Sequence, residues 1–351
     1  MSDTISLLLL ISALLNQGSS QSYAGYQEPL AYQMLSLAAG AYGSEQAACV
    51  STTFPASDQR YVYSTSQVQC DFIKSTCDSY IENSNVTRQV VFVFRGTKTE
   101  SQLAVEGWQS YQMGEQFMDM GLVNRYFLKA HNDLWPSIEA FLQMPEFQSY
   151  SILVTGHSLG GALASLAAAR IVRGGFRPAS QVQLYTFGQP RTGGYDYAMA
   201  FDSMGISSFR VVYSSDVVPH QPECTKDMSI PANAVGSRTC LADSSNRAYH
   251  HGTEIWYPES MTPGTEAFRV CSGTPKNEDM NCSDALFFDA RSFSLYAWQH
   301  RHYFDTFVTG FGKSGCTQRE RGGPAPTSKD MGLEGLLGRA VNSLTQRVES
   351  G

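Results

Sequence analysis

"SILVTGHSLGGALASLAAARIVRGG", Ser151 to Gly175, is the stretch that decides the fold. It opens on a short apolar run, Ile152 to Thr155, passes through a glycine-flanked turn, and continues into an alanine-rich segment closed by Gly174 and Gly175. The pattern reads as strand, tight turn and helix, with the helix beginning near Ala162 and the glycine pair ending it. The turn itself, "GHSLG" from Gly156 to Gly160, matches G-x-S-x-G. A sharp strand-to-helix turn leaves no room for side chains at its flanks and pushes the Ser158 hydroxyl out over the sheet edge. There the helix N-terminus favours developing negative charge. Five residues of this kind also arise by chance as a bland Gly-Ser turn, so the setting carries the weight. In that setting Ser158 is the expected nucleophile.

Working outward, "QVVFVFRGT" (Gln89 to Thr97) holds five consecutive apolar residues, three of them valine. Such a run is too short for a helix and suits a strand buried on both faces, as in a parallel sheet. "VQLYTFG" (Val182 to Gly188), "FRVVYSSD" (Phe209 to Asp216) and "TEIWYP" (Thr253 to Pro258) are further strands. "EPLAYQMLSLAAGAYG" predicts a helix with Pro29 in its first turn and Gly40 and Gly43 as stops. "LWPSIEAFLQM" predicts another, placing Ile138, Phe141 and Leu142 on one face. Strands alternating with helices imply an α/β fold, a mostly parallel central sheet with helices on both faces.

The chain has 351 residues, 42% of them apolar and 16% charged, with a formal net charge of −7. One large α/β domain can absorb nearly all of that length. The acidic balance argues against nucleic acid as a partner, because phosphates call for a basic face. At the start, an apolar run from Ile5 to Leu15 is too short to span a bilayer and is followed by Gly18, Ser19 and Ser20. The expectation is a signal peptide over residues 1–20, although Asp3 and the lack of Lys or Arg depart from the usual front end. The alternative is an intact N-terminal core helix. Eight cysteines, none in a CxxC pair, fit disulfides of an oxidising compartment better than a zinc site. Asn85 and Asn281 head glycosylation triplets. The chain therefore reads as secreted and extracellular, with the domain at 21–316. Past Cys316, residues 317–351 read as a polar Gly/Pro linker and a tail with apolar residues near helical spacing, either amphipathic or a frayed end.

A serine hydroxyl needs a base to take its proton and an acid to orient that base. On a doubly wound sheet these follow in the order Ser, Asp or Glu, His, in loops after later strands. Asp216 closes the strand "RVVYSSD"; Asp202, Asp243 and Asp289 follow no strand so clearly. For the base, "AWQHRHYFD" offers His300 and His302. On a strand the two share a face and on a helix they diverge by about 200°, so spacing does not choose between them. The His250-His251 pair has no carboxylate or cysteine at ligand spacing, which favours structural roles, as for His131, His157 and His220.

"FRGT", "GHSLGGALA", "YTFGQPR", "DVVPH" and His-x-x-Tyr-Phe, in this order from about Tyr26 to Cys316, resemble the class 3 lipases, the fungal-type family that includes secreted, cysteine-rich animal members. The resemblance implies an α/β-hydrolase fold and hydrolysis of carboxylic esters, often acylglycerols, with no metal or other cofactor. It implies Ser158 as nucleophile, Asp216 as acid and His300, three before Tyr303, as base. It also implies an oxyanion hole from the backbone N–H of Thr97, in "FRGT", and of Leu159, with Arg95 bracing the loop. The resemblance also implies that "KTESQLAVEGWQSYQM" is the family's lid, with Leu103, Ala104 and Trp108 as substrate-contact residues and Tyr111 in line with Ala104 and Trp108. An ordinary surface helix is the alternative there. The family's tie between N-terminal helix and C-terminus suggests Cys49–Cys316, and local closures Cys70–Cys77, Cys224–Cys240 and Cys271–Cys282 would use the rest. The implied activity is that of a secreted triacylglycerol lipase on a lipid or ester substrate. Its rivals are a phospholipase A1, a short-chain or aromatic esterase, and a lipid-binding or interaction protein without turnover.

Overall fold

Val90, Phe92 and Phe94 point into one hydrophobic core and Val91 and Val93 into a second, so one short run of sequence is buried on both sides. That alternation is the period of a strand, and two cores on one strand require layers above and below it. The computed structural model describes residues 25–69, 76–97, 113–319 and 323–326. The expected signal peptide, Cys70, the lid segment with Leu103, Ala104, Trp108 and Tyr111, and the tail from 327 lie outside the described residues.

The central sheet has eight strands: β1 (Tyr61–Gln69), β2 (Thr76–Ser84), β3 (Gln89–Phe94), β4 (Ser151–His157), β5 (Val182–Phe187), β6 (Ser207–Tyr213), β7 (Thr253–Tyr257) and β8 (Arg269–Cys271). They lie side by side in that order. The five strands β3 to β7 pair in parallel, while β1, β2 and β8 close the two edges in antiparallel pairing. Parallel neighbours need crossovers, and helices supply most of them. In chain order the helices are α1 (Glu28–Gly40), α2 (Gln46–Thr53), α3 (Arg125–Leu142), α4 (Leu159–Arg173), α5 (Tyr195–Ser203), α6 (Phe293–His300) and α7 (Val308–Lys313). Apolar residues of α3, α4 and α5 pack in the first core, and those of α1, α2 and α7 in the second. This is the expected parallel α/β sandwich, and it is an α/β-hydrolase architecture.

Several boundaries differ from expectation; the strand read over Phe209 to Asp216 is β6, Ser207–Tyr213, which leaves Asp216 in the turn beyond it. Helix α3 begins at Arg125, nine residues before Leu134, because the Asn124 side chain accepts from the N–H groups of Tyr126 (2.9 Å) and Phe127 (3.3 Å). That is an N-cap. Helix α4 begins at Leu159 rather than near Ala162, since one residue, Ser158, completes the turn.

Disulfides join Cys49 to Cys316, Cys224 to Cys240 and Cys271 to Cys282. The first ties α2 to the end of α7. Cys77 is disulfide-bonded as well. Asn85 and Asn281 are both exposed.

Candidate active site

Ser158 stands between β4 and α4 with φ 61° and ψ −133°, a backbone conformation that a non-glycine residue seldom adopts. The flanking glycines are needed for contact: a Cβ on Gly156 would fall 2.2 Å from the Gly160 carbonyl oxygen, and one on Gly160 would fall 2.3 Å from that of Phe94. The Ser158 N–H donates to the Phe187 carbonyl at 2.9 Å, which ties the turn to the end of β5. Strain of this kind persists where the surroundings over-determine it, as at functional sites.

Asp216 follows β6 and is fully buried. Its Oδ1 accepts from the Val218 N–H (2.9 Å) and its Oδ2 from the Tyr303 hydroxyl (2.6 Å). His300 Nδ1 lies 3.1 Å from Oδ1 and 2.9 Å from Oδ2. A carboxylate only accepts, so Nδ1 carries a proton, and in the neutral ring the lone pair is then at Nε2. Gly188 makes the contact possible. Its φ is +57°, and a Cβ there would lie 2.8 Å from both Asp216 Oδ2 and His300 Nδ1. Burial and the neighbouring Asp216 push the Tyr303 phenol well above its ordinary pKa, so it remains a donor.

His157, next to the serine, stacks on His300 with ring centroids 4.7 Å apart. Its Nε2 lies 2.8 Å from the His300 carbonyl oxygen and its Nδ1 2.9 Å from the Tyr42 hydroxyl. Complete burial, with His300 beside it, holds its pKa well below the usual imidazole value. The neutral ring has one proton; the carbonyl demands it at Nε2, so Nδ1 accepts from Tyr42. Ser158 thus stands next to the stacked pair. Among the described residues, neither Ser158 Oγ nor His300 Nε2 forms a hydrogen bond.

The Arg95-Gly96-Thr97 loop runs against the turn, where a Cβ on Gly96 would lie 3.1 Å from Ser158 Cβ. Thr97 is half-buried, and Leu159 opens α4, whose first N–H groups have no partner within the helix. Arg95 braces this loop: it pairs with Asp78 and donates to the Thr76 hydroxyl at 3.0 Å and to the Gly96 carbonyl at 3.3 Å.

The rivals lie elsewhere. His302 is buried, with Nδ1 2.6 Å from the Trp298 carbonyl and its ring stacked on Trp298 at 3.9 Å. Asp202 pairs with Lys276 and Asn277, and Asp289 with Arg291. His250 and His251 are buried within the protein. The one grouping of three ligand-type side chains among the described residues is Glu254 with Cys271 and Cys282. Those two cysteines share a disulfide and offer no thiolate. Tyr42 and Gly188 have no site role in the sequence reading, although they lie within "EPLAYQMLSLAAGAYG" and "YTFGQPR", and Tyr303 enters it only as the marker of His300.

A strained serine turn at the carboxyl edge of a parallel sheet, beside a buried Asp–His pair, is the arrangement of an α/β-hydrolase. The comparisons with known proteins agree. The family model described as "Lipase (class 3)" matches residues 91–226. A lipase of Caenorhabditis elegans is 41% identical over 341 residues, covering 96% of this chain and 96% of that protein. A secreted mono- and diacylglycerol lipase of Fusarium solani is 29% identical over 155 residues, covering 42% of this chain and 44% of its own. In fold, lipase II from Rhizopus niveus superposes with a TM-score of 0.58 at 23% identity, covering 80% of this chain and 95% of that one. The chain belongs to the class 3 lipase family.

Proposed function

We propose that this protein is a secreted triacylglycerol lipase that cleaves carboxylic esters through an acyl-enzyme. The observation that carries the reading is the buried Asp216–His300 pair, closed at 2.9 Å on the Nδ1 side and set beside Ser158. In the reacting complex His300 Nε2 takes the Ser158 proton as Oγ attacks the ester carbonyl, forming the C–O bond. Asp216 holds the ring and stabilises the imidazolium. The N–H groups of Thr97 and Leu159 bind the oxyanion, each contributing about 2.7–4 kcal/mol. The imidazolium then protonates the departing alcohol. Water, deprotonated by the same Nε2, releases the acid and restores Ser158. The hydrogen bond from Ser158 Oγ to His300 Nε2 forms on substrate binding, as catalytic contacts that are long or misaligned in the empty site often do.

Secretion is supported by the disulfides, which persist in oxidising compartments. Exposure of Asn85 and Asn281 suits glycosylation there. Leu103, Ala104 and Trp108 are proposed to cover the acyl groove.

Labelling with a fluorophosphonate, followed by turnover of tributyrin, triolein and phosphatidylcholine, tests the assignment. Labelling at Ser158 with triolein turnover is the expected result. Cleavage of phosphatidylcholine alone would make the protein a phospholipase, and an unlabelled Ser158 would remove the enzymatic reading.

A further inference from the structure

Between β6 and β7 the chain leaves the sheet and builds a loop over residues 214–252. Its outer part, with the neighbouring segment Leu286–Phe288, holds apolar side chains in the open. Met228 is 74% exposed and Phe287 60%, and Ile230 and Val235 are exposed with them. Four of the seven large apolar residues exposed among the described ones gather in this small region, more than scattered surface residues account for.

The loop is braced, so these side chains do not simply await collapse. The Cys224–Cys240 disulfide closes its base. Asn233 and Ser237 exchange backbone and side-chain bonds at 2.8 Å, Asn233 Nδ2 donates to the Ala285 carbonyl at 2.8 Å, and Arg238 donates to the Ile230 carbonyl at 2.6 Å. Beneath, the buried Arg191 grips Glu278 (2.8 and 2.6 Å) and the His220 and Pro222 carbonyls (2.7 and 3.1 Å).

This loop is built on the active-site segments. It departs from the turn Val218–His220 that follows Asp216. The His220 ring lies 4.6 Å from that of Phe288, which lies 5.2 Å from Tyr296 on α6, the helix ending at His300. Charge selects the partner. Glu223 and Asp227 offset Lys226 and Arg238, leaving residues 223–240 neutral on a chain of net charge −7. An anionic bilayer repels such a protein, whereas a zwitterionic or uncharged lipid surface does not.

We propose that Met228, Ile230, Val235 and Phe287 form a fixed docking rim that seats the protein on an uncharged lipid surface beside the catalytic mouth. The choice of lipid rests on the ester-hydrolase reading above; the rim itself does not need turnover. Docking transfers apolar side chains out of water on a frame already ordered, so little conformational entropy is lost.

The test uses full-length protein carrying Ser158→Ala, so that binding is read without hydrolysis. Flotation with phosphatidylcholine vesicles and with triolein droplets compares this background with the same chain bearing Met228→Ser, Val235→Ser and Phe287→Ser. Partition should fall at least about tenfold, as expected for three apolar side chains kept in water. In the Ser158 background, triolein turnover should fall in parallel while hydrolysis of dissolved p-nitrophenyl acetate is unchanged. Phe287→Trp should show a blue-shifted emission when vesicles are added, a readout that survives any folding defect in the triple variant. Unchanged partition, or no emission shift, overturns the proposal. So does a dimer lost in the triple variant with lipid binding intact, which would assign the rim to a second copy. Binding that strengthens with phosphatidylserine and vanishes in salt overturns it too. If the wild type cleaves no ester, the lipase reading fails and the flotation still judges the rim.

Discussion

Tyr42, from the loop after α1, and His157, from the end of β4, meet at 2.9 Å although 115 residues separate them, and the other edge of that imidazole reaches the His300 backbone at 2.8 Å. A tyrosine distant along the chain therefore holds one tautomer of the ring on which His300 stacks. We propose that His157 positions His300, through the ring stack at 4.7 Å and the bond to the His300 carbonyl.

Tyr42→Phe removes the donor and leaves His157 Nδ1 buried without a partner, a cost of about 1–3 kcal/mol. Steady-state kinetics on a soluble ester should show kcat reduced about tenfold with KM little changed, and fluorophosphonate labelling of Ser158 slowed in step. A fall in thermal stability with kcat intact would leave Tyr42 a purely structural residue.

Ser158→Ala and His300→Ala should each lower turnover by several orders of magnitude, because members of a triad act as a unit. His302→Ala should cost no more than a few-fold, since its ring is engaged with Trp298 instead. Equal losses at the two histidines would undo the assignment of the base.

Gly188→Ala places a methyl group 2.8 Å from both Asp216 Oδ2 and His300 Nδ1, on a backbone at φ +57°. The backbone term alone costs about 1 kcal/mol. The methyl must also part the acid from the base. Circular dichroism should report a folded protein, while kcat drops at least about a hundredfold, as when triad geometry is lost.

Stability should respond to pH through buried groups of opposite sign. Burial lowers His131, His220 and His251 from 6.5 to about 3. Below 6.5 the unfolded chain takes up protons that these rings refuse, so their contribution is present above 6.5 and lost as pH falls towards 3. Glu82 and Glu254, raised by burial from 4.5 to about 7, act the other way, because between 4.5 and 7 their folded carboxyls bind more protons, and Glu278, also raised by burial, acts in the same direction. The two effects offset one another between about 4.5 and 6.5, and below that only the histidine loss is left. Urea unfolding at a series of pH values should show a shallow upper range and a steep acid limb. His131→Phe should flatten that limb by up to one proton; an unchanged slope would mean that the ring is protonated in the fold.

Much of this was legible in the sequence because it is local. The apolar run Val90 to Phe94, the glycines flanking Ser158 and the strand residues Phe209 to Tyr213 each state their conformation within about ten residues, although the end of that strand, read at Asp216, falls at Tyr213. The onset of α3 is not legible in the periodicity of Leu134 to Met144, because Asn124, its cap, lies ten residues before that stretch. Neighbouring residues alone do not separate His300 from His302, since they do not say where α6 ends and the chain reverses; only the family pattern points to His300. Tyr42 and Gly188 lie inside quoted stretches, yet nothing local states the contacts they make. A tyrosine in a loop and a glycine after a strand are ordinary until their partners arrive.

By itself the sequence determined the alternation of strands and helices, the strained turn and the hydroxyl it lifts over the sheet edge. All of these follow from side-chain periodicity and from the steric demands of neighbouring residues. Only the tertiary structure decided which carboxylate faces which imidazole. Asp216 and His300 lie 84 residues apart and meet because β6 and α6 end at the same rim of one parallel sheet. Hydrogen bonds near 3 Å are sensitive to where every crossover packs, and that is settled by the whole core at once.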